Sequence, residues 1–133
     1  MAINHTISDF VARINNALGK NKKVALVPNT NTIRSLLDIL ESEGFIIGYQ
    51  LEGPKSNNLK ILLKYFQDKS VINTFRIVSK PSRKVYFSKE DILQWKTQNN
   101  TFDLLILSTN KGVLTHQKAL IQKTGGEVLV SIN

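Results

Sequence analysis

The 133-residue chain reads as an α+β protein built from two small domains. Three observations predict this. Two stretches in the first half place apolar residues at helical spacing, each followed by short runs suited to strands. Together they give the order helix, strand, helix, strand, strand within about 65 residues, enough to bury one sheet face under two helices. The second half alternates short apolar runs with glycine, proline and polar turns, which leaves room only for short helices. Apolar residues lapse between Gln67 and Ser70. The expected domains are therefore 1–67, an α-β-α-β-β unit, and 68–133, a mostly β unit with short helices.

Taken in order, Ile7, Phe10, Val11, Ile14 and Leu18 form one helical stripe, with Asn4 or Thr6 as cap and Thr6–Asp9 as a capping box. Gly19 ends the pattern. Arg13, Asn15, Asn16 and Lys20 fall on the side that a lone helix would give to solvent. Val24–Pro28 is short, β-branched and closed by proline, as a strand is. Residues 29–32 offer caps for a second helix, whose stripe is Ile33, Leu36, Leu37 and Leu40 and whose stop is Gly44. Phe45–Leu51 and Leu59–Phe66 read as strands joined by the polar turn Gly53 to Asn58. Val71–Ser79 reads as the next strand. Ser88, Lys89, Glu90 and Asp91 open a short helix through Trp95, which is predicted to pack in the core rather than stack on a base. Residues 96–101 are polar and break the pattern. A buried strand from Leu104, a polar loop, a helical turn from Thr115 to Lys123 and a glycine turn into a last strand complete the chain.

Composition narrows the function. The charge is +8, with 18 basic against 10 acidic residues. Such a surplus points to a polyanion, either nucleic acid or an anionic membrane surface, the alternative being a merely solvated basic surface. The absence of cysteine excludes a disulfide framework and a thiolate metal site, and fits a reducing compartment. No apolar run approaches the length of a membrane span, and residues 1–20 carry neither a signal core nor an arginine-rich transit pattern. Lysine far outnumbers arginine, and asparagine and isoleucine are plentiful. These residue types have AT-rich codons, which favours an organelle-encoded protein (mitochondrion ahead of plastid) or an AT-rich bacterium working in its cytoplasm.

The polar residues gather near the end of the chain. Ser108, Thr109 and Asn110 follow the apolar run Leu104–Leu107, so hydroxyl and amide groups are presented where a strand leaves the core. Lys111 adds a cation and Gly112 a close backbone approach. Gly125, Gly126 and Glu127 stand at the start of the last strand. Upstream, Lys80, Pro81, Ser82, Arg83, Lys84, Val85 and Tyr86 place a proline turn before two cations and an aromatic ring. That segment is either a nucleic-acid surface or a solvated turn with a half-buried tyrosine. No catalytic constellation emerges. His5 and His116 have no metal-ligand spacing, and a Ser108–His116–Asp103 triad lacks the Gly-x-Ser-x-Gly elbow. Ser-Thr-Asn-Lys-Gly is not a phosphate-binding loop, because the glycine-rich lead-in is missing. No cofactor, metal or small-molecule substrate is predicted. The competing reading is a small α/β enzyme acting on a phosphorylated substrate through the Ser108 loop. It needs a titratable group in a perturbed environment beside that loop.

These residues resemble the universal S-eight family of small-subunit ribosomal proteins. The family pattern is Ser-Thr-Ser-Lys-Gly, then Thr and Ala, then Gly-Gly-Glu-Val-Leu. It stands here as Ser108 to Gly112, Thr115, Ala119 and Gly125 to Leu129, with Asn110 in the third polar place. Ile7 to Ala17 is similar to the family's first helix, although Thr6 replaces its proline. Ile39, Leu40, Glu43, Gly44, Phe45 and Ile46 match the end of its second. Lys80 to Tyr86 matches Lys-Pro-Gly-Arg-Arg-Val-Tyr, with Ser82 for the glycine. Asn99 to Phe102 stands where the family carries Gly-Leu-Gly. The likeness runs from Ile7 to Val130, and is weaker at 50–70 and 87–102.

The resemblance implies a structural ribosomal protein, not an enzyme, that binds small-subunit ribosomal RNA, aids assembly and neighbours proteins five and two. It implies an RNA contact made by Tyr86, Arg83, Lys84, Ser108, Thr109, Asn110, Lys111, Gly112, Gly125, Gly126 and Glu127, with Arg13 and Asn16 from the first helix. Hydroxyls and amides are expected on ribose, phosphate and base edges, Lys111 on phosphate and the Tyr86 ring against ribose or base. The two glycines are expected to let RNA come close. Glu127 either accepts from a base amino group or holds the loop hydroxyls in place, the second role being the expected one.

Overall fold

A computed structural model describes residues 3–54, 57–80, 82–98 and 103–133. The chain forms two compact units, one of residues 6–73 and one made up mainly of residues 74–133, with which the start of the first helix is grouped. The first holds α1 (Ile3–Gly19), β1 (Val24–Pro28), α2 (Asn31–Ser42), β2 (Ile46–Leu51) and β3 (Asn58–Leu63). The strands form an antiparallel sheet in the order β1-β3-β2. Ala25 pairs with Ile61, which pairs with Tyr49, and Val27, Leu59 and Leu51 line up likewise. Ala25, Val27, Leu59 and Ile61 are buried, as are Ile7, Phe10, Ile14, Ile33, Leu36, Leu37 and Leu40 from the helices. Each of these side chains larger than alanine contributes about 1.5–3 kcal/mol by leaving water. Tyr49 ties β2 to α2 by donating its hydroxyl to Asp38 Oδ1 at 2.5 Å. That bond to a carboxylate pushes the phenol's pKa up.

Two-residue strands β4 (Tyr65–Phe66) and β5 (Lys69–Ser70) follow. Gln67 and Asp68 turn the chain between them with φ of 51° and 64°, the left-handed pair that a two-residue hairpin requires. The predicted strand over 59–66 is thus broken at Lys64, and the boundary expected after Gln67 falls on a hairpin turn. The ladder continues through Val71 N–H to the Lys64 carbonyl at 3.1 Å, and Ile72 is buried. This holds 71–73 to the first unit and cuts the strand predicted over 71–79 down to three residues.

The second unit runs β6 (Phe75–Ile77), β7 (Tyr86–Phe87), α3 (Lys89–Gln98), β8 (Leu104–Thr109), β9 (Gly112–Thr115), α4 (His116–Ile121) and β10 (Gly126–Ile132). Its sheet has the order β6-β10-β8-β9, with β7 also paired to β10. On one edge of β10, β7 meets Gly126 and Glu127 while β6 meets Val130 to Ile132. On the other edge β8 runs from Gly126 to Ile132, with an irregularity between Val128 and Val130. Under the sheet lie Ile92, Leu105, Leu107, Ala119 and Val128, with Phe87 and Trp95 packed against them. Trp95 meets His116 edge-on, with ring centroids 5.2 Å apart, and belongs to the packing as the sequence predicts.

Helix ends follow local rules, with some shifts from expectation. The α2 N-cap is Thr30, whose hydroxyl accepts from Ile33 N–H at 3.2 Å. Ser88 and Asp91 bond each other's backbone reciprocally at the start of α3, as a capping box does. Thr6, predicted to cap α1, lies inside it, because the helix starts at Ile3. Three helices close with the same pair of bonds back to the last turn, leaving one residue in the left-handed region: Asn21, Gly44 and Lys123. Helix α1 itself ends at Gly19, as predicted, and Asn21 two residues on takes the left-handed conformation. Glycine takes this conformation without the steric cost that a Cβ adds. Lys123→Gly should therefore raise stability by about 0.5–1 kcal/mol, while Gly44→Ala should lower it by about 1 kcal/mol, both read from urea denaturation midpoints.

Candidate nucleic-acid interface

Three of the predicted site residues of the second unit, Tyr86, Glu127 and Ser108, share the outer face of its sheet. Register places Tyr86 of β7 opposite Glu127 of β10, and Glu127 opposite Ser108 of β8. Val113 of β9 extends the row. Side chains directly opposite on one face stand about 5 Å apart at Cβ. The row thus carries a phenol, a carboxylate and a hydroxyl side by side. Tyr86 is 63% exposed, while Glu127 and Ser108 are half-buried. The inner face of the same strands carries Val128, Leu107 and Phe87.

The next row, Phe87, Gly126, Thr109 and Gly112, explains the glycines. A Cβ on Gly126 would lie 2.1 Å from the Ser108 carbonyl oxygen, and one on Gly125 would lie 2.3 Å from that of Phe87. What fills the space beside both residues is the protein's own backbone. They admit β7 and β8 against the start of β10, an internal role that stands beside the expected approach of RNA. Gly112 has another reason, a φ of 105° that ends the β8–β9 turn.

That turn corrects the predicted loop. Ser108 and Thr109 are the last residues of β8, Gly112 begins β9, and only Asn110 and Lys111 lie between. Strand β9 is four residues long, too short for its alternation to stand out in the sequence. The Thr109 hydroxyl donates to the Gly112 carbonyl at 2.8 Å and accepts from Lys111 N–H at 3.1 Å, so it clasps the turn. Asn110 Oδ1 accepts from the Thr124 hydroxyl at 3.1 Å. Lys111 Nζ donates to the Gln122 carbonyl at the end of α4, at 3.2 Å, where a cation also suits the helix dipole. Asn110 keeps its amide N–H groups and Lys111 two ammonium protons, on exposed side chains.

Glu127 is the exception to this internal bonding. Its Oε2 is buried with no hydrogen-bond partner among the described residues. The expected bonds from its carboxylate to the loop hydroxyls are not made. An unpaired buried acceptor costs about 1–3 kcal/mol, which an outside donor would recover only once the side chain turned outward.

Tyr86 is placed by a residue that sequence reading passed over. Ser79 is buried, and its hydroxyl donates to the Val85 carbonyl at 3.2 Å and accepts from Val85 N–H at 3.0 Å. Val128 N–H also donates to the Val85 carbonyl, at 2.9 Å. Lys80 and Arg83 exchange backbone bonds of 2.9 and 3.0 Å, closing the basic turn with Arg83 and Lys84 exposed. Pro81 and the Asn99–Phe102 segment lie outside the described residues. No sequence signal marks Ser79, since its bonds close only when the turn has folded.

Arg13 and Asn16 belong to the first unit. They line a concavity of about 360 Å³ with Lys20, Lys22 and the backbone of β1. Arg13 pairs with Asp9 at 2.8 Å and donates to the Leu26 carbonyl at 3.2 Å, which holds its guanidinium over the rim of that hollow.

His116 does not form the conceivable triad. It is buried, and its Nδ1 accepts from Leu105 N–H at 3.2 Å. Among the described residues no cluster of three or more metal-ligating side chains occurs, and no helix is long and apolar enough to cross a membrane. The internal fit of the site gives a direct test. Gly126→Ala should cost about 3 kcal/mol or more, by prising β10 from β8. Circular dichroism melts would show it as a large fall in midpoint.

Comparison with known proteins shows the family. The family model described as Ribosomal protein S8 matches residues 5–133. The chain is 38% identical to the small ribosomal subunit protein uS8 of Pelagibacter ubique, over 99% of each chain. It is 39% identical to uS8 of Bartonella bacilliformis, again over 99% of each. Against uS8 of Mycoplasma mobile the figure is 37%, over 98% of this chain and 96% of that one. The chain belongs to the ribosomal protein S8 family, and is accordingly a structural constituent of the small ribosomal subunit and not an enzyme.

Proposed function

We propose that this small-subunit protein grips its ribosomal RNA with the outer face of the second unit's sheet, and that binding helps the RNA reach its assembled fold. The observation that carries the reading is the row Tyr86–Glu127–Ser108, flanked by the Asn110–Lys111 turn. The row and turn combine an aromatic face, an unsatisfied acceptor, a hydroxyl, an amide and a cation. That set suits RNA, whose splayed bases stack on aromatic rings and whose 2′-hydroxyls and base edges donate and accept.

Within this reading the residues divide by role. Tyr86 stacks on ribose or base. Ser108 and the Asn110 amide bond ribose hydroxyls and base edges, while Lys111, Arg83 and Lys84 meet phosphates. Glu127 turns outward and accepts from a base amino group, which gives its unpaired oxygen a donor. Thr109, Gly112, Gly125 and Gly126 act by shaping the strands. In the first unit, Arg13 and Asn16, with Lys20 and Lys22, offer a second phosphate contact.

The family resemblance supports proteins five and two as neighbours in the particle. Composition supports an AT-rich organellar genome, mitochondrial ahead of plastid; the three bacterial relatives support a bacterial cytoplasm as the second reading.

With roughly 5 phosphates neutralised, affinity should fall with salt at a log–log slope of about −3 to −4. Lys111→Ala should weaken binding to every RNA alike and make that slope shallower by about 1. Tyr86→Ala and Asn110→Ala should instead reduce the preference for a helix with an irregular, bulged site over a regular one. Gel-shift titrations against both RNAs test this, and equal losses on the two for Tyr86→Ala would remove its assignment to specificity.

A further inference from the structure

Beside the row, on the α3 side of Tyr86, the surface sinks into a groove of about 330 Å³. It is lined by Tyr86, Phe87, Asp91, Gln94, Trp95 and Gln98. Its volume lies at the low end of the range for small-ligand clefts. Asp91, Gln94 and Gln98 recur at helical spacing, so α3 turns one polar edge toward Tyr86. All three are exposed, and Trp95 is half-buried. None of the six lining residues carries a positive charge.

We propose that this groove seats one unstacked, amino-bearing base of the bound RNA, adenine best of all. The chemistry excludes a phosphate, since a cation-free groove with a carboxylate at its edge repels one. Aromatic walls with two carboxamides instead fit a flat, uncharged heterocycle. A glutamine amide offers a donor and an acceptor together, the pair that reads adenine's N7 and amino group. Asp91 spends one oxygen on Ser88 N–H at 2.9 Å and keeps the other as an acceptor for an amino proton. The location completes the case. Tyr86 belongs to both the groove and the proposed RNA face, so a base leaving the stack beside Tyr86 has the groove as its nearest shelter. This inference rests on the RNA reading of that face and extends its footprint onto α3.

Trp95 is the chain's only tryptophan and sits in the groove wall, so its fluorescence reports occupancy. The full chain should be titrated with the small-subunit ribosomal RNA fragment that it protects from nuclease, and separately with AMP and UMP. A base in the groove quenches Trp95. The double variant Gln94→Ala/Gln98→Ala should bind the RNA about tenfold more weakly with an unchanged salt slope. It should also lose most of the quench while keeping its thermal midpoint, since both side chains are exposed. AMP should quench more than UMP. Wild-type affinity and quench in the double variant, with Lys111→Ala still weakened, would overturn the groove and leave the sheet face standing. Unchanged binding in Lys111→Ala and Tyr86→Ala as well would overturn both. Equal quenching by AMP and UMP would overturn the choice of an amino-bearing base.

Discussion

Strand β10 has neighbours on both edges, and at its start it can hold them only because two residues there have no side chain. At Gly125 and Gly126 the carbonyl oxygens of Phe87 and Ser108 come within 2.3 and 2.1 Å of where a Cβ would stand, far inside van der Waals contact. This close approach puts Tyr86, Glu127 and Ser108 into one register. A side chain at either position would separate the strands and move the three groups out of their shared row. The second unit's site is therefore a consequence of backbone packing before it is a matter of side-chain chemistry.

The two faces of that sheet answer to different demands. The inner face is apolar and packs against Ile92, Ala119 and Trp95. The outer face and the β8–β9 turn hold polar groups, many of them already spoken for. Thr109 clasps its own turn, Thr124 bonds Asn110, and Lys111 reaches the end of α4. Such bonds remove rotamer freedom before any partner arrives, which lowers the entropy that binding has to supply. What they leave over is a limited set of donors and one carboxylate oxygen with no donor of its own. On the proposed reading, a surface arranged in this way discriminates by geometry, whereas lysines alone attract any polyanion.

The fold class and most elements were legible in the residues. The stripes of α1 and α2, the proline-closed β1 and the Ser88 capping box follow from spacing and from hydrogen bonds spanning three or four positions. Local signals failed where a distant partner decides. Strand β9 exists because β8 offers it a ladder, and β6 is short because residues 71–73 bond back toward Lys64. Lys123 occupies the conformation usually given to glycine, so it did not announce its helix end.

The site divides along the same line. Sequence alone determined which residues belong together in kind: hydroxyls, an amide, a lysine, two glycines and a carboxylate, in a spacing shared with ribosomal proteins. Tertiary structure alone decided what each one does. It set the glycines against their own neighbours' backbone, made Thr109 a clasp, left one oxygen of Glu127 unpaired and bonded Ser79, from outside the pattern, to Val85 next to Tyr86. The physical reason is range. Side-chain chemistry and local backbone preference are written within a few positions of the chain, but the partner of a hydrogen bond across a sheet is chosen only when the strands meet.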